Sequence, residues 1–175
     1  MNFLAHALLS FGDADFLAGN MISDFVKRKK KYDYPLSIQK EIQLHRAIDE
    51  FTDFHPVTAE AKGLFRLDYR LYSGAFVDVV YDHFLALDQK QFSDNKGLKN
   101  FTEATYRQLN KNAAYFPLPF QKIFPYMQSQ NWLYGYRFKE GIRKSFGGLV
   151  RRASYLTESE IAFTIFNDHY QRLAD

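Results

Sequence analysis

Apolar residues recur at the three- and four-residue spacing of amphipathic helices along most of the chain, and no stretch alternates apolar and polar residues as a strand would. The spacing predicts eight or nine helices, over residues 2–10, 14–26, 38–56, 57–67, 73–88, 98–110, 120–129, 134–150 and 158–173. There is no internal repeat, linker or break in composition, so residues 1–175 are expected to form a single domain. We therefore predict an all-α fold, an irregular or orthogonal helical bundle.

Residues that cap helix N-termini stand before several of these segments: Asn2, Asp13, Ser37 and the capping-box sequence T-E-S-E at 157–160. Pro56 ends the long helix or opens the next one, because the residue before a proline disfavours helical backbone angles. Gly19 weakens the second predicted helix and indicates close packing or a bend there. Residues 27–35 are expected to form a loop.

Composition narrows the possible functions. The chain has no cysteine, which excludes disulfides, thiolate metal ligands and a cysteine nucleophile. No apolar run approaches the ~18 residues that a membrane span requires. The apolar N-terminus lacks the basic residues of a secretory signal and contains His6. We therefore expect a soluble, cytoplasmic protein that does not engage a membrane.

Two segments carry imidazoles and carboxylates at helical spacing. Residues 41–56 place three of them four positions apart, on one helical stripe: His45, Asp49 and Asp53. Residues 77–87 contain a second set: Asp78, Asp82 and His83. Side chains one turn apart can bind one cation, and a facing helix can complete the coordination. Our interpretation is that the two helices face each other and hold a divalent cation, with His83 reaching it or acting beside it.

The ligand types restrict the metal. Carboxylates with a few imidazoles favour Mn²⁺, Mg²⁺, Fe²⁺ or Zn²⁺ in a hydrolytic role. Asp24 is a further candidate ligand, because a carboxylate at a helix C-terminus is unfavourable without a nearby cation. His6 is interpreted as a core histidine, with metal ligation as the alternative. The alternative for His45 and Asp49 is a simple helix ion pair, worth ~0.2–0.5 kcal/mol.

Basic residues are concentrated in two regions, although the net charge is only +3. One is the run 27–31, K-R-K-K-K, and the other lies within 137–152. Such clusters attract acidic partners, and the alternative is that both are solvated surfaces. Phosphate-binding glycine motifs, the nucleophile elbow of α/β-hydrolases and alternating aromatic–basic RNA-binding patterns are all absent, so no nucleic-acid partner is expected.

Four segments carry a resemblance to a known family: M-N-F-L-A-H at 1–6, G-N-M-I-S-D-F-V at 19–26, L-H-R-A-I-D-E-F-T-D-F-H-P at 44–56 and V-D-V-V-Y-D-H-F-L-A at 77–86. Together they resemble the acyl carrier protein phosphodiesterase family. The resemblance implies a metal-dependent, usually manganese-dependent, hydrolase with an HD-domain-like fold. Its substrate would be holo-acyl carrier protein, a small acidic protein, from which it would release 4′-phosphopantetheine. The sequence departs from the HD signature, since its adjacent pair is Asp82-His83.

On this basis we predict a role for each motif residue. The predicted metal ligands are Asp24, His45, Asp49, Asp82 and His83. Asp78 would orient or deprotonate the attacking water, and Arg46 would stabilise charge on the phosphate. Lys27 and Arg28, with Arg46, would bind the acidic substrate.

The sequence leaves other matters open. The roles of Asp53, His55 and His6 and the oligomeric state are undetermined. Two alternative functions are a metal phosphohydrolase acting on nucleotides or other small phosphoesters, and a non-enzymatic helical protein that binds carrier proteins or nucleic acid.

Overall fold

The computed structural model describes residues 3–175, except for the side chain of Arg28. Within this range the chain is helical and contains no β-strand, so the predicted all-α fold is confirmed. The α-helices are α1 Phe3–Leu8, α2 Ala14–Ile22, α3 Leu36–Phe54, α4 Pro56–Tyr69, α5 Ser73–Leu87, α6 Asn95–Lys111, α7 Leu118–Ser129, α8 Trp132–Gly135, α9 Lys139–Arg152, α10 Glu160–Asp168 and α11 Tyr170–Ala174. Short 3-10 helices cover Ser23–Phe25, Arg28–Asp33, Arg70–Tyr72 and Ala113–Tyr115.

Several predicted segments differ from the structure. The helix expected over 14–26 ends at Ile22 and continues as the 3-10 helix Ser23–Phe25. The helix expected over 134–150 is divided into α8 and α9, and Gly141 packs against the carbonyl of Gly135 at the junction. The last predicted helix is divided at His169, whose backbone leaves helical geometry. The basic run expected as a loop is largely a 3-10 helix, Arg28–Asp33.

The predicted caps have mixed outcomes. The Asp13 carboxylate accepts hydrogen bonds from the backbone N–H groups of Asp15 and Phe16, as predicted. Ser37 is not a cap, because α3 begins at Leu36 after Pro35. In the predicted capping box at 157–160, the Glu158 carboxylate caps α10 by accepting hydrogen bonds from the backbone N–H groups of Glu160 and Ile161. The predicted cap Asn2 lies outside the described residues.

The close approach of α2 to α3 explains the glycine in α2. A Cβ atom at Gly19 would lie 2.5 Å from Glu41 Cβ and 2.8 Å from the Ile38 carbonyl oxygen. The Ser23 hydroxyl, just beyond α2, donates a 3.2 Å hydrogen bond to the Ile42 carbonyl. Close packing at Gly19 was therefore predicted correctly, and it holds the turn that follows α2 against the middle of α3.

The core is built around α5, which contacts α1, α4 and α9. Phe65, Phe76 and Phe146 come from α4, α5 and α9, and they are fully buried against one another. Dense aromatic packing of this kind fixes the relative positions of helices that carry polar side chains at their edges. Across residues 3–175, no helix has the length and apolar character needed to span a bilayer.

Candidate metal centre

Two imidazoles and two carboxylates from three elements meet at one edge of the bundle. We call this group the His/Asp cluster; its members are His6, Asp24, His45 and Asp49. Asp49 joins the two rings, with Oδ1 3.1 Å from His6 Nε2 and Oδ2 3.1 Å from His45 Nε2. His45 Nε2 also lies 3.2 Å from Asp24 Oδ1. The cluster therefore depends on the packing of α1, the turn after α2, and α3.

The two histidines of the cluster have opposite pKa shifts. Burial lowers the pKa of His6, and the hydrogen bond with Asp49 offsets this only in part. Burial also acts to lower the pKa of His45, but the hydrogen bonds and charges of Asp24 and Asp49 outweigh it and raise the pKa to about 9. At neutral pH one ring is therefore neutral and the other is an imidazolium ion.

Both carboxylates of the cluster stay ionised. Burial acts to raise the pKa of Asp49, but hydrogen bonds with His45 and His6 hold that pKa well below its usual range. The pKa of Asp24 is also lowered, since its hydrogen bond with His45 offsets the effect of burial. Both side chains keep about a third of their surface exposed, 35% for Asp24 and 37% for Asp49. The cluster is thus buried on its imidazole side and open on its carboxylate side.

These residues fit a divalent cation. One ligand atom each from His6, His45 and Asp49 lie within 4.8 Å of one another, and no other such group of His, Asp or Glu occurs in the described part of the chain. The donors are nitrogen and oxygen, which suit Mn²⁺, Fe²⁺ or Zn²⁺. In the metal-free protein, a proton on His45 supplies the positive charge that the two carboxylates require. A metal ion would take over that charge and release the proton.

Asp82, which was predicted to be a metal ligand, does not belong to this group. Its side chain is fully buried, and both oxygens accept backbone hydrogen bonds, from Leu4 N at 3.1 Å and Ala5 N at 2.9 Å. Burial raises the pKa of Asp82 to about 8, although these two donors act to lower it. Asp82 thus anchors the first turn of α1, the helix that carries His6.

His83, the other predicted ligand on α5, also lies outside the cluster and binds other groups. Its Nδ1 lies 2.7 Å from the Tyr136 carbonyl oxygen, and its Nε2 lies 2.9 Å from the Tyr170 hydroxyl. The ring packs at right angles to Phe166 within the core. Because adjacent helical residues point about 100° apart, Asp82 and His83 bind different neighbours of α5.

A cleft of about 520 Å³ opens beside the cluster, and Asp49 lines it. Its walls come from the end of α3, from α4 and from the start of α5: Asp49, Asp53, Lys62, Arg66, Arg70, Leu71, Ser73, Gly74, Ala75 and Asp78. Asp78, which was predicted to act on the attacking water, is one of the residues that line this cleft. Asp53 forms an ion pair with Lys62. The cleft thus joins the cluster to a wall that contains three cationic side chains.

Of the predicted substrate-binding residues, Arg46 and Lys27 have described side chains, whereas the side chain of Arg28 lies outside the described part of the structure. The Arg46 guanidinium donates a 3.1 Å hydrogen bond from Nη2 to the Val26 carbonyl, so it ties α3 to the segment before the basic run. Lys27 is exposed at the start of that run. Neither residue lines the cleft. His55, left open above, caps α4: its Nδ1 accepts from Val57 N at 3.3 Å.

The predictions from the sequence gave little weight to one residue of the cluster and did not consider three cationic residues that line the cleft. His6 was interpreted as a core histidine, and it is buried, but it also joins the cluster because α1 packs across α2 and α5. Lys62, Arg66 and Arg70 were not considered. The one signal was the four-residue spacing of Arg66 and Arg70 in the sequence F-R-L-D-Y-R-L-Y at 65–72.

An all-α protein with imidazoles and carboxylates gathered at the edge of an open cleft has the donor set of a metal-dependent phosphoester hydrolase. The sequence matches the acyl carrier protein phosphodiesterase family over residues 1–175, and the chain belongs to that family. The family assignment made from the four motifs is thus confirmed, and with it the class of enzyme, a phosphodiesterase.

Curated relatives agree over nearly the whole chain. Proteins called acyl carrier protein phosphodiesterase are 34% identical in Yersinia pestis, covering 100% of this chain and 91% of the relative, and 33% identical in Klebsiella pneumoniae, covering 99% and 90%. Another, from Photorhabdus laumondii, is 31% identical and covers 97% of this chain and 86% of the relative. No solved structure matches the chain, so the HD-domain-like character of the fold stays a prediction.

Proposed function

We propose that the chain hydrolyses the phosphodiester that joins 4′-phosphopantetheine to a serine of holo-acyl carrier protein. The products are the apo-carrier and free 4′-phosphopantetheine. Membership of the phosphodiesterase family supports the reaction class. The observation that carries the catalytic part of the proposal is the meeting of His6, His45 and Asp49 beside an open cleft. We further propose that the enzyme acts in the cytoplasm.

The cluster would hold the catalytic metal through His6, His45, Asp49 and Asp24. Mn²⁺ is the metal we propose, since two imidazoles and two carboxylates form a mixed nitrogen and oxygen donor set. When bound, the ion would neutralise charge on the phosphate and lower the pKa of water beside it. The buried histidines fix one side of this site, and the exposed carboxylates leave the side toward the substrate open.

The residues of the cleft would position the substrate. Asp49 faces both the cluster and the cleft, so the scissile phosphate is expected to lie next to it. Asp78 lines the same cleft from α5 and is the carboxylate we assign to orient the water or accept its proton. The cationic side chains of the cleft would balance the negative charge that develops on phosphorus-bound oxygens.

The direct test is to incubate the protein with purified holo-acyl carrier protein and Mn²⁺, with and without a chelator, and to weigh the carrier by mass spectrometry. We expect the carrier to lose the mass of phosphopantetheine only when Mn²⁺ is available. The Asp49→Asn variant should be inactive under the same conditions. An unchanged carrier mass would refute the proposal, and release of phosphate from free nucleotides instead would favour a nucleotide phosphohydrolase.

A further inference from the structure

We infer that the carrier protein docks on the α4 side of the cleft, where Arg66 and Arg70 hold its acidic surface and Leu67 and Leu71 cover an apolar part of it. This inference rests on the proposed function, because it takes the acidic carrier as the partner. It assigns docking to a surface other than the basic run at 27–31, where the sequence had led us to expect it.

The cleft is lined by three acidic and three cationic side chains, and these differ in whether they already have partners. Lys62 is paired with Asp53, and Asp49 is engaged by the two histidines. Asp78 also has an interaction partner. By contrast, within residues 3–175 neither the Arg66 nor the Arg70 side chain forms a hydrogen bond or an ion pair. Two exposed guanidinium groups without partners suit carboxylates or a phosphate, which they can bind in bidentate fashion.

Two leucines, Leu67 and Leu71, follow these arginines directly in the sequence, and their side chains are exposed to solvent. Leu67 is 89% exposed and Leu71 is 100% exposed, so neither side chain contributes to the core. Leu71 lines the cleft together with Arg70. Exposed leucines with cations at their edge are typical of surfaces that bind another protein.

The backbone at Arg70 keeps this surface in place. Arg70 ends α4 with a positive φ of 46°, which is strained for a residue with a side chain. The Ser73 hydroxyl donates a hydrogen bond to the Arg70 carbonyl, and the Arg70 N–H donates to the Arg66 carbonyl. This turn directs the chain from α4 into α5 and leaves Leu71 fully exposed at the cleft. The strained residue is therefore Arg70, one of the two arginines that we propose to bind the carrier.

The α4 surface lies beside the cleft that contains Asp49, which favours it over the basic run as the docking site. The cleft is continuous with the cluster through Asp49, so a carrier seated on α4 would place its modified serine within reach of the metal ligands. The Lys31 ammonium instead lies over the ring of Tyr32, in the same 3-10 helix. Among the described side chains of the basic run, those of Lys27 and Lys29 to Lys31 do not line the cleft.

The test measures binding of fluorescently labelled holo- and apo-acyl carrier protein to the metal-free protein in chelator, so that no turnover occurs. We expect the double variant Arg66→Ala, Arg70→Ala to bind at least about tenfold more weakly, with a smaller dependence on salt. The double variant Leu67→Ser, Leu71→Ser alters only exposed side chains, and we expect weaker binding from it too. The matched control Lys29→Ala, Lys30→Ala removes the same charge from the basic run and should bind nearly as tightly as wild type.

Two results would overturn this docking surface: wild-type affinity in both cleft variants, or a loss of affinity confined to the Lys29→Ala, Lys30→Ala control. Circular dichroism and Mn²⁺ titration establish that each variant is folded. The outcome is separable from that of the proposed function. If the carrier binds through the cleft and keeps its mass with Mn²⁺, the docking surface stands and the hydrolysis fails. If the carrier is cleaved and the cleft variants bind and cleave it as wild type does, the proposed hydrolysis stands and the docking surface fails.

Discussion

The rings of His6 and His45 stack with their centroids 3.8 Å apart and their planes 20° apart, although they belong to different helices. Each ring presents its Nε2 to Asp49. The pair is stable in the metal-free protein because only one ring is charged, as two adjacent imidazolium ions would repel each other. The same arrangement presents two nitrogen donors to one cation.

Metal affinity should depend on the cluster and not on the adjacent Asp-His pair of α5. We expect Asp49→Asn and His45→Ala each to weaken Mn²⁺ binding at least ~10–100-fold, since even residues that only support a ligand have effects of that size. Isothermal titration of the metal-free protein with Mn²⁺ measures this. His83→Gln is the control, because His83 contacts Tyr136 and Tyr170, and it should bind Mn²⁺ normally. Lost Mn²⁺ binding in His83→Gln would restore the predicted ligand role of His83, and intact binding in Asp49→Asn would remove Asp49 from the ligand set.

The stability of the metal-free protein should fall as the pH rises through the titration of His45. Its folded pKa, about 9, lies above its unfolded value of 6.5, so the stabilisation is complete below pH 6.5 and is lost toward pH 9. The change should not exceed about 3 kcal/mol. Urea denaturation in chelator between pH 6 and 9.5 measures it. Because the pKa of Asp82, about 8, lies in the same range, the pH dependence of wild type should be compared with that of His45→Gln, which retains Asp82 and lacks only the His45 titration. Equal slopes for the two proteins would contradict this account of His45.

The part of the site that follows helical periodicity was predictable. His45 and Asp49 lie four residues apart on α3, so a periodic pattern is enough to place them together. Asp24 was suggested by its position after α2, and its contact with His45 agrees with that reasoning. The all-α fold also follows from periodicity, because the apolar spacing is a local property.

The rest of the site depends on tertiary packing, which one sequence does not specify. His6 reaches Asp49 only because α1 is seated on α2 and α5. Asp82 and His83 were predicted as ligands because Asp82 lies one helical turn from Asp78 and His83 follows it directly. Both instead bind groups that lie far away in the sequence: backbone N–H groups of α1 and residues 136 and 170. The cationic wall of the cleft combines α4 with the strained turn at Arg70, and periodicity carries no information about such a turn.

Asp82 should contribute to stability and, through α1, to the position of His6. Asp82→Ala leaves the N–H groups of Leu4 and Ala5 without their acceptor in a buried site, which we expect to cost about 1–3 kcal/mol. Chemical denaturation measures the loss. Saturating Mn²⁺ should recover part of it, since bound metal holds His6 against α3. A variant as stable as wild type would mean that Asp82 does not anchor α1.

Gly19 should matter for the metal site although it is not a ligand. Gly19→Ala places a Cβ atom within 2.8 Å of the Ile38 carbonyl and still closer to the Glu41 side chain, so α2 must move away from α3. That movement separates Asp24, in the turn after α2, from His45 on α3, which lie 3.2 Å apart in the native packing. We expect a loss of about 1–3 kcal/mol in the free energy of unfolding together with weaker Mn²⁺ binding.

The matched substitution for this prediction is Gly63→Ala in the middle of α4. A Cβ atom there meets nothing within 4 Å, so the alanine should leave stability unchanged or raise it by up to about 1 kcal/mol. Thermal denaturation and Mn²⁺ titration of both variants separate the two effects of glycine: helix propensity acts at both positions, whereas close packing acts only at Gly19. If Gly19→Ala kept both wild-type stability and wild-type Mn²⁺ affinity, the contact between α2 and α3 would not be what positions Asp24.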